Sequence, residues 1–203
     1  MRFMRGLVGL APALVLAAGC VNNAPPSAET KTSAADKAAA QPAQSPVERG
    51  KYLVTVGGCN DCHTPKKLGP NGPEPNMDLE LSGNPSTEKL APVPVGLIAP
   101  DKYLTVVNNH LGAWVGPWGV SFAMNLTSDK STGLGSWTEE MFVTALRTGK
   151  HQGTGRPILP PMPWYWYRNM TDQDLKAVFA YLQSLKPINN PIPDPLPPDK
   201  IPH

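Results

Sequence analysis

The stretch GGCNDCHTP, Gly57 to Pro65, places two thiols and an imidazole within five residues, Cys59 to His63. Three chemistries bring such groups together: a redox dithiol, half of a zinc site, and covalent capture of a haem. A zinc site needs two further ligands near each other, yet the remaining cysteine is Cys20, and His110, His151 and His203 are scattered. A thioredoxin-like dithiol needs a βαβ frame, and the surrounding sequence supplies none. On a helical turn Cys59 and Cys62 stand at i and i+3 and face the same way. Both sulfurs can then meet the two vinyl groups along one porphyrin edge, with His63 beneath the iron. The motif points to one covalent haem c, with His63 as an axial ligand.

Upstream, Arg2 and Arg5 precede an apolar run from Leu7 to Ala18, broken by glycines and Pro12 and followed by Gly19 and Cys20. That run is too short and too interrupted to span a membrane and reads as a secretory signal, residues 1–19. LAAGC resembles a bacterial lipobox, which makes Cys20 the expected lipid attachment site and first mature residue. Ala17 stands where leucine is commonest, so an ordinary exported leader is the alternative. Val21 rather than Asp after the cysteine favours outer-membrane sorting, by analogy with enteric bacteria. Residues 20–46 hold too little apolar surface to offset the entropy of ordering; they read as a flexible tether with a reach of roughly 30 Å. At the other end, residues 187–203 carry seven prolines in seventeen positions, a composition that excludes helix and reads as a tail along the domain surface. Between them, residues 47–186 suffice for one domain with its own core.

Three helices are expected in that domain. The first begins at Val47, spaces Val47, Tyr52, Leu53 and Val56 on one face, and stops at Gly57 and Gly58. The second follows a Thr138 or Ser136 cap, carries Met141, Phe142, Ala145 and Leu146 on its apolar face, and ends at Gly149. In the third, Thr171 is the cap, Asp174 answers it as an acidic capping box, and Leu175, Val178, Phe179, Leu182 and Leu185 form the buried stripe. From Thr64 to Ser136 the chain is crowded with Pro and Gly and reads as loop, with a short helix near Asp101 to His110. So long a loop needs something else to fill the core, and a haem held by two thioethers would do so.

RGKYLVTVGGCNDCHTP, together with GPNGPEP, NLTSDKSTGLGSWTEE, RPILPPMPW and MTDQDLKAVFAYL, resembles the exported class I c-type cytochromes of bacteria, especially single-haem modules related to cytochrome subunits of periplasmic dehydrogenases. The resemblance implies an all-α class I cytochrome c fold, three to four helices with long Pro/Gly-rich loops around the haem. The first and last helices would cross near Gly50 and the aromatic residues of FAYL. Subunits of that kind usually carry several haem motifs and this chain has one, so membership of a multi-haem subunit is not implied. A methionine on the loop before the last helix is implied as sixth ligand. Met162 in LPPMPW fits, and Pro160, Pro161 and Pro163 would make a stiff arm for its thioether. Met124 in FAMNLT competes for that position, and His151 or His110 would be a second histidine ligand. Gly69 and Pro70 resemble a pair whose carbonyl accepts the proximal imidazole N–H; a plain turn is the alternative. WYWY, Trp164 to Tyr167, either walls the haem or docks a partner.

The formal charge of +2 falls to zero when Arg2 and Arg5 leave with the leader, which gives no basis for binding nucleic acid. Arg147, Lys150, Arg156 and Arg168 lie in a run without acids, whereas Glu74 to Glu88 carries four acids and no base. Solvated faces are the plain reading of both runs; orienting a partner or neutralising haem propionates is the functional one. The expected function is a single-electron carrier, a membrane-anchored lipoprotein facing the periplasm, with no catalytic residue of its own. A redox protein donor and acceptor, such as a periplasmic dehydrogenase or terminal oxidase, would be its partners. A cytochrome subunit bound permanently to a dehydrogenase is one alternative. A haem enzyme or gas-binding sensor is another, and needs an empty or labile sixth position.

Overall fold

The computed structural model describes residues 44–203; Cys20, the leader and most of the tether lie outside the described residues. Five α-helices are present there: α1 Pro46–Val56, α2 Cys59–His63, α3 Glu139–Thr148, α4 Trp164–Tyr167 and α5 Asp172–Ser184. Between α2 and α3 run two small antiparallel sheets, β1 (Lys66–Gly69) with β2 (Gly72–Pro75), and β3 (Val106–Val107), β4 (Ala113–Gly116) and β5 (Gly119–Phe122) in that order. The all-α expectation is therefore wrong, and the fold is mixed.

The strands escape a local reading because each is short and their pairing is what makes them strands. AWVGPWGVSF closes a hairpin through Gly116-Pro117-Trp118-Gly119, which sets Val115 opposite Val120. These two join Val93 in a second small core, against Leu196 and Ile201 of the proline-rich end. The helix expected near Asp101 to His110 is also absent. β-branched Thr105, Val106 and Val107 favour extended backbone there, and the Asn108 side chain accepts from the amides of Gly112 and Ala113, both at 3.0 Å. That folds the segment back onto β4.

The main core lies where α1, α3 and α5 meet, around Val54, Leu134, Phe142, Leu175 and Leu182. Ser45 and Glu48 cap α1 reciprocally, while α1 meets α5 at Gly50. A Cβ on that glycine would lie 1.9 Å from the Ala177 carbonyl oxygen, so the backbones touch. The apolar face expected for the first helix is half right: Leu53 packs on the core and lines the cavity with Val56, whereas Val47 and Tyr52 are exposed and close approach to α5 buries Gly50 and Val54 instead. On α5, Leu175, Val178, Phe179 and Leu182 are buried together with Ala177 and Tyr181. Thr171 caps that helix, but the Asp174 carboxylate turns from the cap to the Arg49 Nε at 2.9 Å, joining α5 to α1.

Residues 187–203 thread back over the domain. Asn190 donates to the carbonyls of Ser82 and Asn84 at 2.8 and 2.9 Å. Leu196 and Val120 exchange backbone hydrogen bonds, and Val93 donates to the Pro202 carbonyl at 2.8 Å.

Candidate functional site

A cavity of about 550 Å³ opens between the helices and the β4–β5 hairpin, with a mostly apolar wall shared by α1, α3, α5, the hairpin and the loops that lead into α3 and α4. Cofactor sites are typically about 300–1,000 Å³ and apolar. Cys59, Cys62 and His63 stand on its wall, as do Met162, Met124 and His151.

Helix α2 is only five residues long and is held from outside itself. It begins at Gly58, whose φ of +68° suits glycine. At its end the Lys66 ammonium donates to the carbonyls of Asn60, Asp61 and Thr64 at 3.0, 2.8 and 2.6 Å. These satisfy carbonyls that a helix terminus leaves without partners. The Thr64 hydroxyl in turn accepts from the Leu81 amide at 2.9 Å. These contacts fix the orientation of the motif.

His63 is buried, and its Nδ1 lies 2.8 Å from the Met124 carbonyl oxygen. A carbonyl only accepts, so Nδ1 carries the proton and Nε2 keeps its lone pair. Burial lowers the imidazole pKa, outweighing the Met124 hydrogen bond that raises it. A neutral ring with a free Nε2 is the form that binds a metal. The carbonyl expected from Gly69 and Pro70 is not the partner: those residues end β1 and open the hairpin turn towards β2.

Burial also pushes the Cys59 thiol up to about 11 and raises that of Cys62. Both shifts run opposite to the lowered thiols of redox dithiols. Among the described residues no group of three or more His, Cys, Asp or Glu side chains could hold a metal ion by itself. A zinc or thioredoxin-like use of CNDCH finds no support in this arrangement.

The histidines part company. His110 accepts from the Lys66 amide at 3.2 Å, with Nε2 3.7 Å from Glu88, and does not line the cavity. His151 does, edge-on to Trp137 at 5.1 Å between centroids, its pKa lowered first by burial and then by Arg156. WYWY divides too. Trp164 covers Gly149, where a Cβ would meet the indole at 2.4 Å, and Tyr167 faces the cavity, while Tyr165 and Trp166 are exposed.

Sequence reasoning missed the contributions of Ser121, Phe122 and Trp114 from the hairpin, the Lys66 cap and the Tyr167 hydroxyl. Val115 and Val120 flanking a Gly-Pro-Trp-Gly turn were the one available signal for the hairpin.

A family model described as Cytochrome c matches residues 47–186. The fructose dehydrogenase cytochrome subunit of Gluconobacter japonicus is 28% identical over 95% of this chain and 31% of its own length. The gluconate 2-dehydrogenase cytochrome c subunit of Pantoea cypripedii is 29% identical over 66% of this chain and 22% of its own. The alcohol dehydrogenase (quinone) cytochrome c subunit of Komagataeibacter europaeus is 32% identical over 71% and 23%. The chain therefore spans less than a third of the length of these relatives. It belongs to the cytochrome c family, as an electron-transfer domain related to the cytochrome modules of dehydrogenases, and that family carries covalently bound haem c.

Proposed function

We propose that this cytochrome c binds a single haem through Cys59 and Cys62, with His63 Nε2 and the Met162 sulfur as its axial ligands. When bound, haem c supplies a one-electron ferric/ferrous couple. The chain's own part is to hold, orient and exclude. Cys59 and Cys62 on one face of α2 fix the edge of the group, the apolar walls from α3 and α5 keep water out, and His63 offers a neutral nitrogen. Met162 offers a soft thioether that favours the ferrous state and raises the potential. Held by His63 and Met162, the group would exchange electrons without bond chemistry at this domain.

The observation that carries the reading is the His63–Met124 hydrogen bond. Met124, whose own carbonyl is bonded to His63 Nδ1, stands on the imidazole's side of the cavity. That supports Met162, and not Met124, as the ligand from the opposite side. Pyridine-haemochrome analysis tests the proposal: one haem per chain, resistant to acid and organic extraction, is expected, and extractable haem or none defeats it.

In this reading residues 1–19 are an export signal, Cys20 is lipidated, and residues 20–46 tether domain 47–186, with its proline-rich end 187–203, to the membrane facing the periplasm. Val21 favours the outer membrane. No helix among the described residues is long and apolar enough to cross a membrane. The electron donor or acceptor would be a periplasmic dehydrogenase, or a terminal oxidase on the accepting side. Three relatives named as cytochrome subunits of dehydrogenases also favour a second reading, a cytochrome subunit held permanently in such a complex. Tight copurification with a larger subunit would favour it over a diffusible or tethered carrier.

A further inference from the structure

The segment that carries Met162 packs its side chain against the main core but lacks backbone hydrogen bonds of its own. Pro160, Pro161 and Pro163 lack amide hydrogens, and no backbone–backbone hydrogen bond involves residues 159–162. It is tied at each end by one side-chain hydroxyl. Before Met162, buried Ser121 on β5 donates from Oγ to the Pro160 carbonyl at 2.5 Å. After it, the Pro163 carbonyl accepts from the Trp166 amide at 2.9 Å to start α4. The Tyr167 hydroxyl at the end of α4 then donates to the Gly57 carbonyl at 2.5 Å. Gly57 closes α1 by donating to Leu53 at 2.8 Å and lies two residues before Cys59.

We infer that Ser121 and Tyr167 are positioning residues that hold Met162 towards the cavity, Ser121 by tying its loop to the β4–β5 hairpin and Tyr167 by tying it to the turn that carries Cys59. The inference rests on Met162 being the axial ligand. Neither hydroxyl needs to touch the haem. Each fixes one end of a loop that otherwise moves freely enough for the thioether to leave. The Tyr167 bond spans 110 residues and joins the ligand loop directly to the haem-attachment motif. Burial pushes the Tyr167 hydroxyl up to about 12, so it remains a donor across the ordinary range of pH.

The test uses carbon monoxide on the reduced holoprotein, because it binds only when the sixth position is open. Ser121→Ala and Tyr167→Phe each remove one hydrogen bond, and such a loss shifts an equilibrium by roughly two- to tenfold. Carbon monoxide should bind faster by about that factor in each variant and faster still in the double variant. The weak methionine-to-ferric charge-transfer band should be lost at lower temperature, while global unfolding moves less. Tyr165→Phe, on the exposed side of α4, should change neither. Tyr167→Phe keeps the ring and decides the matter if Ser121→Ala does not fold. Wild-type binding rates and band stability in Tyr167→Phe, in a protein whose unmutated form shows the band and binds slowly, would overturn the clamp alone. An unmutated protein with no band and rapid binding would overturn both the clamp and the Met162 reading.

Discussion

His63 Nδ1 is bonded at 2.8 Å to the carbonyl of Met124, a residue 61 positions further along the chain. This one contact fixes the tautomer of the imidazole and ties the short α2 to the strand-bearing segment before α3. It also places the Met124 backbone beside the imidazole. Because the acceptor is backbone, the contact survives side-chain substitution at Met124, which makes that position a clean control.

The α1–α5 crossing leaves no room for a methyl group. With a Cβ at Gly50 only 1.9 Å from the Ala177 oxygen and 2.8 Å from the Tyr181 Cβ, Gly50→Ala must push the helices apart. A loss of about 3 kcal/mol is expected, read from urea unfolding of the holoprotein. An unchanged midpoint would show that the two backbones do not approach so closely.

Asp129 supplies a pH dependence. Its carboxylate accepts from the amides and hydroxyls of Ser131 and Thr132, at 3.1, 2.9, 2.7 and 2.8 Å, with Thr132 the largest influence. These bonds lower its pKa from 3.8 to about 2. The folded state therefore holds this proton less tightly than the unfolded one, so the stabilisation is fully present above pH 3.8 and is lost as pH falls through about 2. Thr132 also accepts from Asn125 Nδ2 and the Asn190 amide, each at 3.0 Å, so the turn reaches the C-terminal strap. Asp129→Asn should flatten the fall of the urea midpoint across that acid window; parallel curves for the two proteins would dismiss the role.

What could be read from the chain was what is local. Thr171 and the stripe from Leu175 to Leu182 mark α5 because cap and face lie within one helix, and the spacing of CNDCH puts three groups on one turn whatever surrounds it. The hairpin Ala113–Phe122 was hidden because its four-residue strands are cut by Gly and Pro and become strands only through each other and Leu196. The partner of His63 was hidden for the same reason. A Gly-Pro pair nearby in sequence was the natural candidate, and the fold instead brings the acceptor from far along the chain. On α1 the expected face caught Leu53 and Val56, which line the cavity, but missed the contact with α5, because hydrophobic spacing rewards large residues and that contact is made by a glycine.

Anchoring is tested at Cys20. Cys20→Ala should move the protein from the membrane fraction to the soluble periplasmic fraction and leave its haem spectrum unaltered, since the domain carries its own core. Retention in the membrane fraction would remove lipidation at Cys20 from the account.

The ligand of the sixth position is tested most directly by comparing the ferric near-infrared spectra of Met162→Ala and Met124→Leu with that of the unmutated protein. A thioether ligand gives a weak charge-transfer band and a raised potential. Met162→Ala is expected to lose the band and to fall substantially in potential, while Met124→Leu keeps both. Loss of the band in Met124→Leu with its retention in Met162→Ala would contradict the assignment.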